Sequence, residues 1–189
     1  VYPVLRQDVE PVASSEPPEV VELRARAEDG DVDAMFDLAE RYQSGQDLEQ
    51  SDEEAARWYR QAAEAGNADA ALRLARLYAY GRDVERNEAL ASRWFSVAAG
   101  LGSVSAMNVL AWRYENATGL DRSHGVAAVY YLRALRNGES WMLDNINQIQ
   151  RETIVEIQRD LRDAGYYVGS LDGVVGPLTS SALRSYAQQ

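Results

Sequence analysis

Apolar and polar positions along the chain follow two nested periods. The short one is helical. Ala34, Leu38, Ala39 and Tyr42 stand at i, i+4, i+5 and i+8, and Ala55, Trp58, Tyr59 and Ala62 at i, i+3, i+4 and i+7. Either spacing gathers its residues on one face of an α-helix. The long period is 36 residues: Gly-x-x-x-Ala returns at Gly30–Ala34, Gly66–Ala70 and Gly102–Ala106. The same register aligns Leu38, Leu74 and Leu110, then Tyr42, Tyr78 and Tyr114. It continues through Ala55, Ala91 and Ala127, then Trp58, Trp94 and Tyr130. A constant period of this length denotes stacked helical pairs, each too small to bury its apolar face without its neighbours. The expected fold is all-α, an α/α superhelical solenoid, and such arrays recognise other macromolecules far more often than they perform chemistry.

The punctuation sets the elements. Pro18 suits a first helical position and opens a helix to about Glu28, a half-repeat that caps the array. Residues 1–17, with Pro3, Pro11 and Pro17 and no apolar period, read as a flexible linker. Gly45 and Gly81 are expected to close first helices in the left-handed conformation. In the third unit this cap is expected to slide to Gly119. Gly138 keeps the beat, and Met142 and Ile146 take the places of Ala106 and Leu110, which predicts a further first helix over 139–150. There the period ends. Thr153-x-x-Glu156 spells a capping box, so a helix is expected from Thr153. Its Ile154, Ile157 and Leu161 face should pack on the 139–150 helix as the second helix of a fourth unit, making the junction rigid. A Gly-rich loop and a helix from about Leu178 to Ala187 complete a second domain over 151–189.

The repeat residues resemble the Sel1-like repeat family, relatives of the tetratricopeptide repeats. Its pattern is met by Ala34, Leu38, Tyr42, Gly45, Ala55, Trp58, Tyr59, Ala62, Ala63 and Gly66, and again one period later; the third unit departs at Tyr130 and Leu135. The resemblance implies an adaptor, often of bacterial envelopes. Residues 153–187 resemble the peptidoglycan-binding-like domain of cell-wall hydrolases. Its pattern is met by Ile157-Gln158, Leu161, Gly165-Tyr166-Tyr167, Gly169, Asp172-Gly173, Gly176, Thr179, Ala182-Leu183 and Tyr186, with Ala187 where Gln is usual and no third helix. Peptidoglycan-binding residues carried over by this resemblance are Tyr166, Tyr167, Asp172, Gly173 and Thr179. Alternatively, Asp172, Gly173, Gly176 and Thr179 only build the turn and cap the last helix. The domain order is similar to the periplasmic end of alphaproteobacterial polar-localisation factors.

Composition narrows the partners. The net charge of −11 argues against nucleic acid, since phosphate neutralisation needs a basic surface. The charge is uneven: three Arg face ten acids over 31–66, but five face four over 67–102 and four face two over 103–137. There is no Cys, hence no thiolate chemistry or disulfide, and no apolar run long enough to span a membrane. The chain starts at Val1 rather than Met and reads as a segment of a longer or processed periplasmic protein.

No catalytic constellation emerges, and no cofactor is implied. Asp29, Asp31, Asp33, Asp37 and Glu40 fall on a calcium-loop template, but Ala34 stands where that loop needs Gly. His124 is the only His; it reads as exposed near a helix start and has no partner for a nucleophilic pair. Asn116-Ala-Thr118 spells a glycosylation sequon in an otherwise bacterial-looking chain. Two tryptophans break the framework. Trp112 takes the place of Glu40 and Arg76, and Trp141 that of Asp33, Asp69 and Ser105. Either they are binding anchors, or they pack beneath the C-terminal domain. The anchor reading gives a protein-binding groove of Arg73, Arg76, Leu77, Val109, Trp112 and Arg113, with the three Arg as its charged rim. The whole reads as a non-enzymatic envelope scaffold; the alternative is a set of accessory domains on a longer wall hydrolase or protease.

Overall fold

The computed structural model describes residues 16–81 and 84–188, so the linker expected over 1–17 lies, but for Glu16 and Pro17, outside the described residues. Among these, every regular element is helical. The long helices are α1 (Pro18–Glu28), α2 (Val32–Ser44), α3 (Asp52–Glu64), α4 (Ala68–Tyr80), α5 (Glu88–Gly100), α6 (Val104–Asn116) and α7 (His124–Arg136). A short α8 (Trp141–Asn145) runs into a 3-10 turn at Ile146–Gln148, and α9 (Arg151–Asp163) and α10 (Pro177–Ala187) follow. None is long and apolar enough to cross a membrane.

Caps repeat with the period. Asp31, Asn67 and Ser103 cap α2, α4 and α6, and Ser51, Asn87 and Ser123 cap α3, α5 and α7. Each side chain accepts the amide three residues on, an arrangement whose loss typically costs ~1 kcal/mol. Asp31 of the calcium-loop template is thus a cap: its Oδ1 takes the amides of Asp33 and Ala34, both at 3.1 Å. The amides of Ser51, Asn87 and Ser123 then bond to Tyr42, Tyr78 and Tyr114 carbonyls at 2.9, 2.9 and 3.0 Å, fixing each helix-to-helix link identically. Gly45 and Gly81 are left-handed caps as expected. The third cap does not slide: Ala117 itself adopts φ 55° and keeps the register.

Ala34, Leu38, Ala55, Tyr59, Ala70, Leu74, Ala98 and Leu110 are fully buried in one apolar core running through α1–α6. A second core begins under α7, where Tyr131, Leu132 and Leu135 meet Met142, Ile146, Ile154, Ile157, Leu161 and Leu183. Here the structure corrects the sequence in two ways. The 139–150 helix stops after α8, because Asn145 Nδ2 turns back to the Trp141 carbonyl (2.9 Å). The Gln150 amide then goes to the buried Glu115 carboxylate (2.7 Å) instead of to a helical carbonyl. Helix α9 starts two residues before Thr153, without a side-chain cap, and packs on α7 as α4 packs on α3 and α6 on α5. It therefore continues the array as its next first helix rather than pairing with 139–150, and Thr153 is spent inside it, bonded to His124 Nδ1 at 2.9 Å. His124 is accordingly half-buried at the joint, not an exposed residue.

Candidate interaction groove and C-terminal loop

Positions 40, 76 and 112 are equivalent on α2, α4 and α6, and the cavities beside them join end to end. A hollow of about 490 Å³ is lined by Gln43, Asp52, Arg73, Arg76, Leu77 and Tyr80. The next, about 590 Å³, shares Arg76 and Tyr80 and adds Ala79, Phe95, Val109, Trp112 and Arg113 among others. The last, about 370 Å³, shares Val109 and Trp112 and is closed by Ser105, Asn108, Glu139 and Trp141. All six residues expected in the groove line this series. Their roles differ from expectation. Leu77 is buried and forms floor, and Arg113 is only 5 % exposed.

Arg113 is an internal strut, not part of a charged rim. Its Nη2 meets Glu88 at 3.0 Å, its Nη1 donates to Ser92 Oγ (3.0 Å) and the Thr118 carbonyl (3.2 Å), and its guanidinium lies 4.8 Å over Phe95. Desolvation raises Glu88, but the guanidiniums of Arg86 and Arg113 outweigh it and hold its carboxyl below the usual range. At the other end Arg73 sits 3.2 Å from Glu40, which also accepts from Tyr59 Oη at 2.8 Å; burial, then that carboxylate, push the Tyr59 phenol up. Among the described residues no acid pairs with Arg76.

The groove's aromatic rim comprises Tyr80, 76 % exposed, and Trp112, 50 % exposed. Trp141 stands across the last hollow from Trp112, stacked on Tyr131 at 6.1 Å and 15°, with its amide held by Glu139 Oε1 at 3.0 Å. The anchor and packing readings therefore divide: Trp141 packs on the second core by one face and walls the slot by another, while Trp112 stays open. Asn108 Oδ1 lies buried in this slot without a hydrogen-bond partner. Tyr80 takes a place held by Ser44 and Asn116 and carried no signal, whereas Asn108 stands where Phe36 and Leu72 are apolar, a departure that could have marked it.

The C-terminal loop is the opposite case. Its centre is Gln158, fully buried on α9. Gln158 Nε2 lies 3.3 Å from Tyr167 Oη, 3.2 Å from Asp172 Oδ1, 3.0 Å from the Val174 carbonyl and 3.1 Å from Thr179 Oγ1. Its Oε1 accepts the Gly173 amide at 2.9 Å. Tyr167 Oη donates to the Ser170 carbonyl (2.8 Å), and Thr179 Oγ1 to the Val174 carbonyl (3.2 Å). Asp172 accepts the Val174 amide and the Ser170 hydroxyl, 2.9 and 2.8 Å, and these bonds hold its carboxyl below the usual range.

Gly173 has φ +70°, and a Cβ there would come 2.5 Å from Arg151 Cγ. Tyr167 and Thr179 are buried, and Tyr166 meets Tyr186 edge-on at 5.4 Å and 88°. The five residues expected to hold peptidoglycan thus build the loop, and no tyrosine pair is displayed for a sugar. Nor does Thr179 cap α10, whose cap position, Gly176, offers no side chain.

Residues 32–67, 68–103 and 104–139 match the family described as "Sel1 repeat". The chain belongs to the Sel1 repeat family. Residues 150–189 match the family described as "Putative peptidoglycan binding domain". A Sel1 repeat protein from Oxalobacter formigenes is 35 % identical, with 69 % of this chain and 98 % of that one covered and a TM-score of 0.62. The c5321 protein, a protective antigen of uropathogenic Escherichia coli strains displaying an SLR fold, is 22 % identical, with 88 % and 40 % covered and a TM-score of 0.62. Helicobacter pylori cysteine rich protein B is 18 % identical over 64 % and 91 %, with a TM-score of 0.50. The last two share the fold alone. No curated protein matches the chain.

The matched Sel1 repeats begin at Val32, Ala68 and Val104, the first residues of α2, α4 and α6, so each repeat contributes one first helix to the groove. The third match ends at Glu139, which forms one lip of the tryptophan slot. The slot therefore lies where the last Sel1 repeat meets the link to the wall-binding-type domain. Helix α10 rests on α7, α8 and α9. The combination of interaction repeats with a peptidoglycan-binding-type domain places the chain in a protein-interaction, cell-wall-associated class.

Proposed function

We propose that this chain is a non-enzymatic scaffold of a bacterial periplasm, part of a longer protein, that holds a protein partner in the groove of its Sel1 repeats and associates with peptidoglycan through residues 150–189. One observation carries the protein-binding half: three joined hollows lead to Trp112, half exposed beside Trp141, while the framework residue Trp58 is buried and Trp94 packs against the core. Exposed Trp in a central, concave setting is the usual anchor of a binding hot spot.

A non-catalytic role is supported by the chain's only imidazole, which is engaged with Thr153 at the joint, and by the loop side chains Tyr167, Asp172 and Thr179, each held by Gln158. With Tyr167 buried and Tyr166 half-buried against Tyr186, contact with the wall falls to the exposed Val168 and Val174 of the loop and Leu178 in the first turn of α10. Such contact is apolar, weak and insensitive to salt. The domain order further supports a place at a cell pole.

The test joins two measurements on the 189-residue chain. A photo-crosslinking amino acid at position 80, on the exposed groove rim with Trp112 kept intact, introduced in the native host, should trap one protein; purified sacculi should pellet the chain without being digested. A fluorescent fusion then reports polar placement. Absence of any crosslinked protein removes the groove from the proposal, absence of pelleting removes the wall, and digestion of the sacculi removes the scaffold role.

A further inference from the structure

The groove reading can be taken to the chemistry of the partner. Three arginines along the groove already pair with carboxylates: Arg73 with Glu40, and Arg86 and Arg113 both with Glu88. Arg76 is different. It lines both of the first two hollows, at their shared wall, and no described carboxylate lies within ion-pair distance. Of the other acids on the groove, Asp52 is buried and Glu139 holds the Trp141 amide. Among the described residues, the groove's centre is thus a cation without a carboxylate partner, set between two exposed aromatics, Tyr80 and Trp112, within a stretch where Arg outnumber acids although the whole chain is at −11.

Beyond that cation lies the slot of about 370 Å³ between Val109, Trp112 and Trp141, at the small end of ligand pockets and suited to one large side chain. Asn108 lines this slot, but its Oδ1 is buried beneath the surface, without a partner.

We infer that the partner presents an acidic segment with an aromatic residue a few positions away: the ring enters the Trp112–Trp141 slot and a carboxylate pairs with Arg76. This rests on the groove being the protein-binding face, and charge is what selects the occupant: a basic segment meets Arg76 unscreened, and a neutral one leaves it unmatched.

A phage library of random dodecapeptides, selected on the immobilised 189-residue chain, reads the chemistry directly. The expected enrichment is Asp or Glu within a few positions of Trp, Phe or Tyr. The best sequence, made synthetically, should bind about tenfold more weakly to Arg76→Gln and at least about tenfold more weakly to Trp112→Ala, with affinity falling as salt rises. Selection on Arg76→Glu should exchange the acids for Lys or Arg. Both side chains are solvent-facing, so circular dichroism of the variants should match the parent. Enriched peptides without acids, lost on Trp112→Ala but indifferent to Arg76→Glu, would overturn the acidic partner and leave the groove reading standing. No enrichment, or peptides indifferent to both substitutions, would overturn both.

Discussion

The groove and the C-terminal loop both looked like sites in the sequence, and the structure treats them in opposite ways. In the loop the buried polar side chains have internal partners: Gln158 alone touches Tyr167, Asp172, Val174 and Thr179. In the groove, among the described residues, Arg76 has no acid, Asn108 Oδ1 no donor and Trp112 is half exposed. A binding site is distinguished by chemistry left unfinished. A motif rich in Gly, Asp and Thr is satisfied by its own turn unless the fold holds those groups apart, because a buried polar group without a partner is costly. Family patterns do not separate these cases, since the residues that build a loop recur as faithfully as those that bind.

Substitutions should separate the two regions, and the largest effect belongs to the loop. Gln158→Leu keeps the volume but leaves the Gly173 amide and the four acceptors without their centre. It should lower stability by ~3 kcal/mol, given ~1–3 kcal/mol per stranded buried polar group, read as the shift in a urea midpoint. An unchanged midpoint would mean the loop is not held from within. Trp112→Ala should show the inverse pattern, with stability within ~0.5 kcal/mol of the parent and partner affinity down by ~2 kcal/mol. A loss of stability comparable to that of Gln158→Leu would turn the groove tryptophan into a core residue.

A third change probes the repeat between them. Ala117 holds the left-handed cap that Gly45 and Gly81 hold in the other units. Since that conformation costs a non-glycine residue roughly 1 kcal/mol, Ala117→Gly should raise the thermal midpoint. A fall would show that its methyl is worth more than the strain.

The smallest effect is in the pH dependence. Asp172 has its carboxyl lowered by the bonds it accepts. The stability it confers is present above the unfolded carboxylate value, about pH 4, and drains away as pH falls through the lower folded value. Asp172→Asn should flatten the acid limb of stability against pH and leave neutral pH nearly untouched. A parallel displacement of the whole curve would mean that the charge is not what matters.

Much of the fold was legible because it is local and repeated. A residue's helical face, the Gly caps and the 36-residue beat depend on neighbours within one unit, and three copies confirm one another. The N-caps Asp31, Asn67 and Ser103 obey the same period and were open to the same reading. Legibility failed where the repeat stopped. The 139–150 stretch has the register of a first helix, yet it stops at Asn145, and the Gln150 amide goes to Glu115, 35 residues away, where α9 begins. The capping box at Thr153 is sound spelling, but α9 starts earlier because its apolar stripe docks on α7, and local propensity yields to that burial. All six groove residues were found, but their exposure was not: Arg113 occupies a groove position by register and becomes a strut because Glu88 and Ser92 lie beneath it.

The sequence by itself determined the helical array, its period, its caps and the face on which each framework residue lies, because those follow from backbone geometry and from spacing along one helix. Only the tertiary structure decided that Tyr167 and Thr179 face inward, that Trp141 comes to stand opposite Trp112, and that Arg76, among the groove's described arginines, is left without an acid. Each of those depends on which distant side chain arrives at the same point. That is a property of packing between helices, which no period along the chain records.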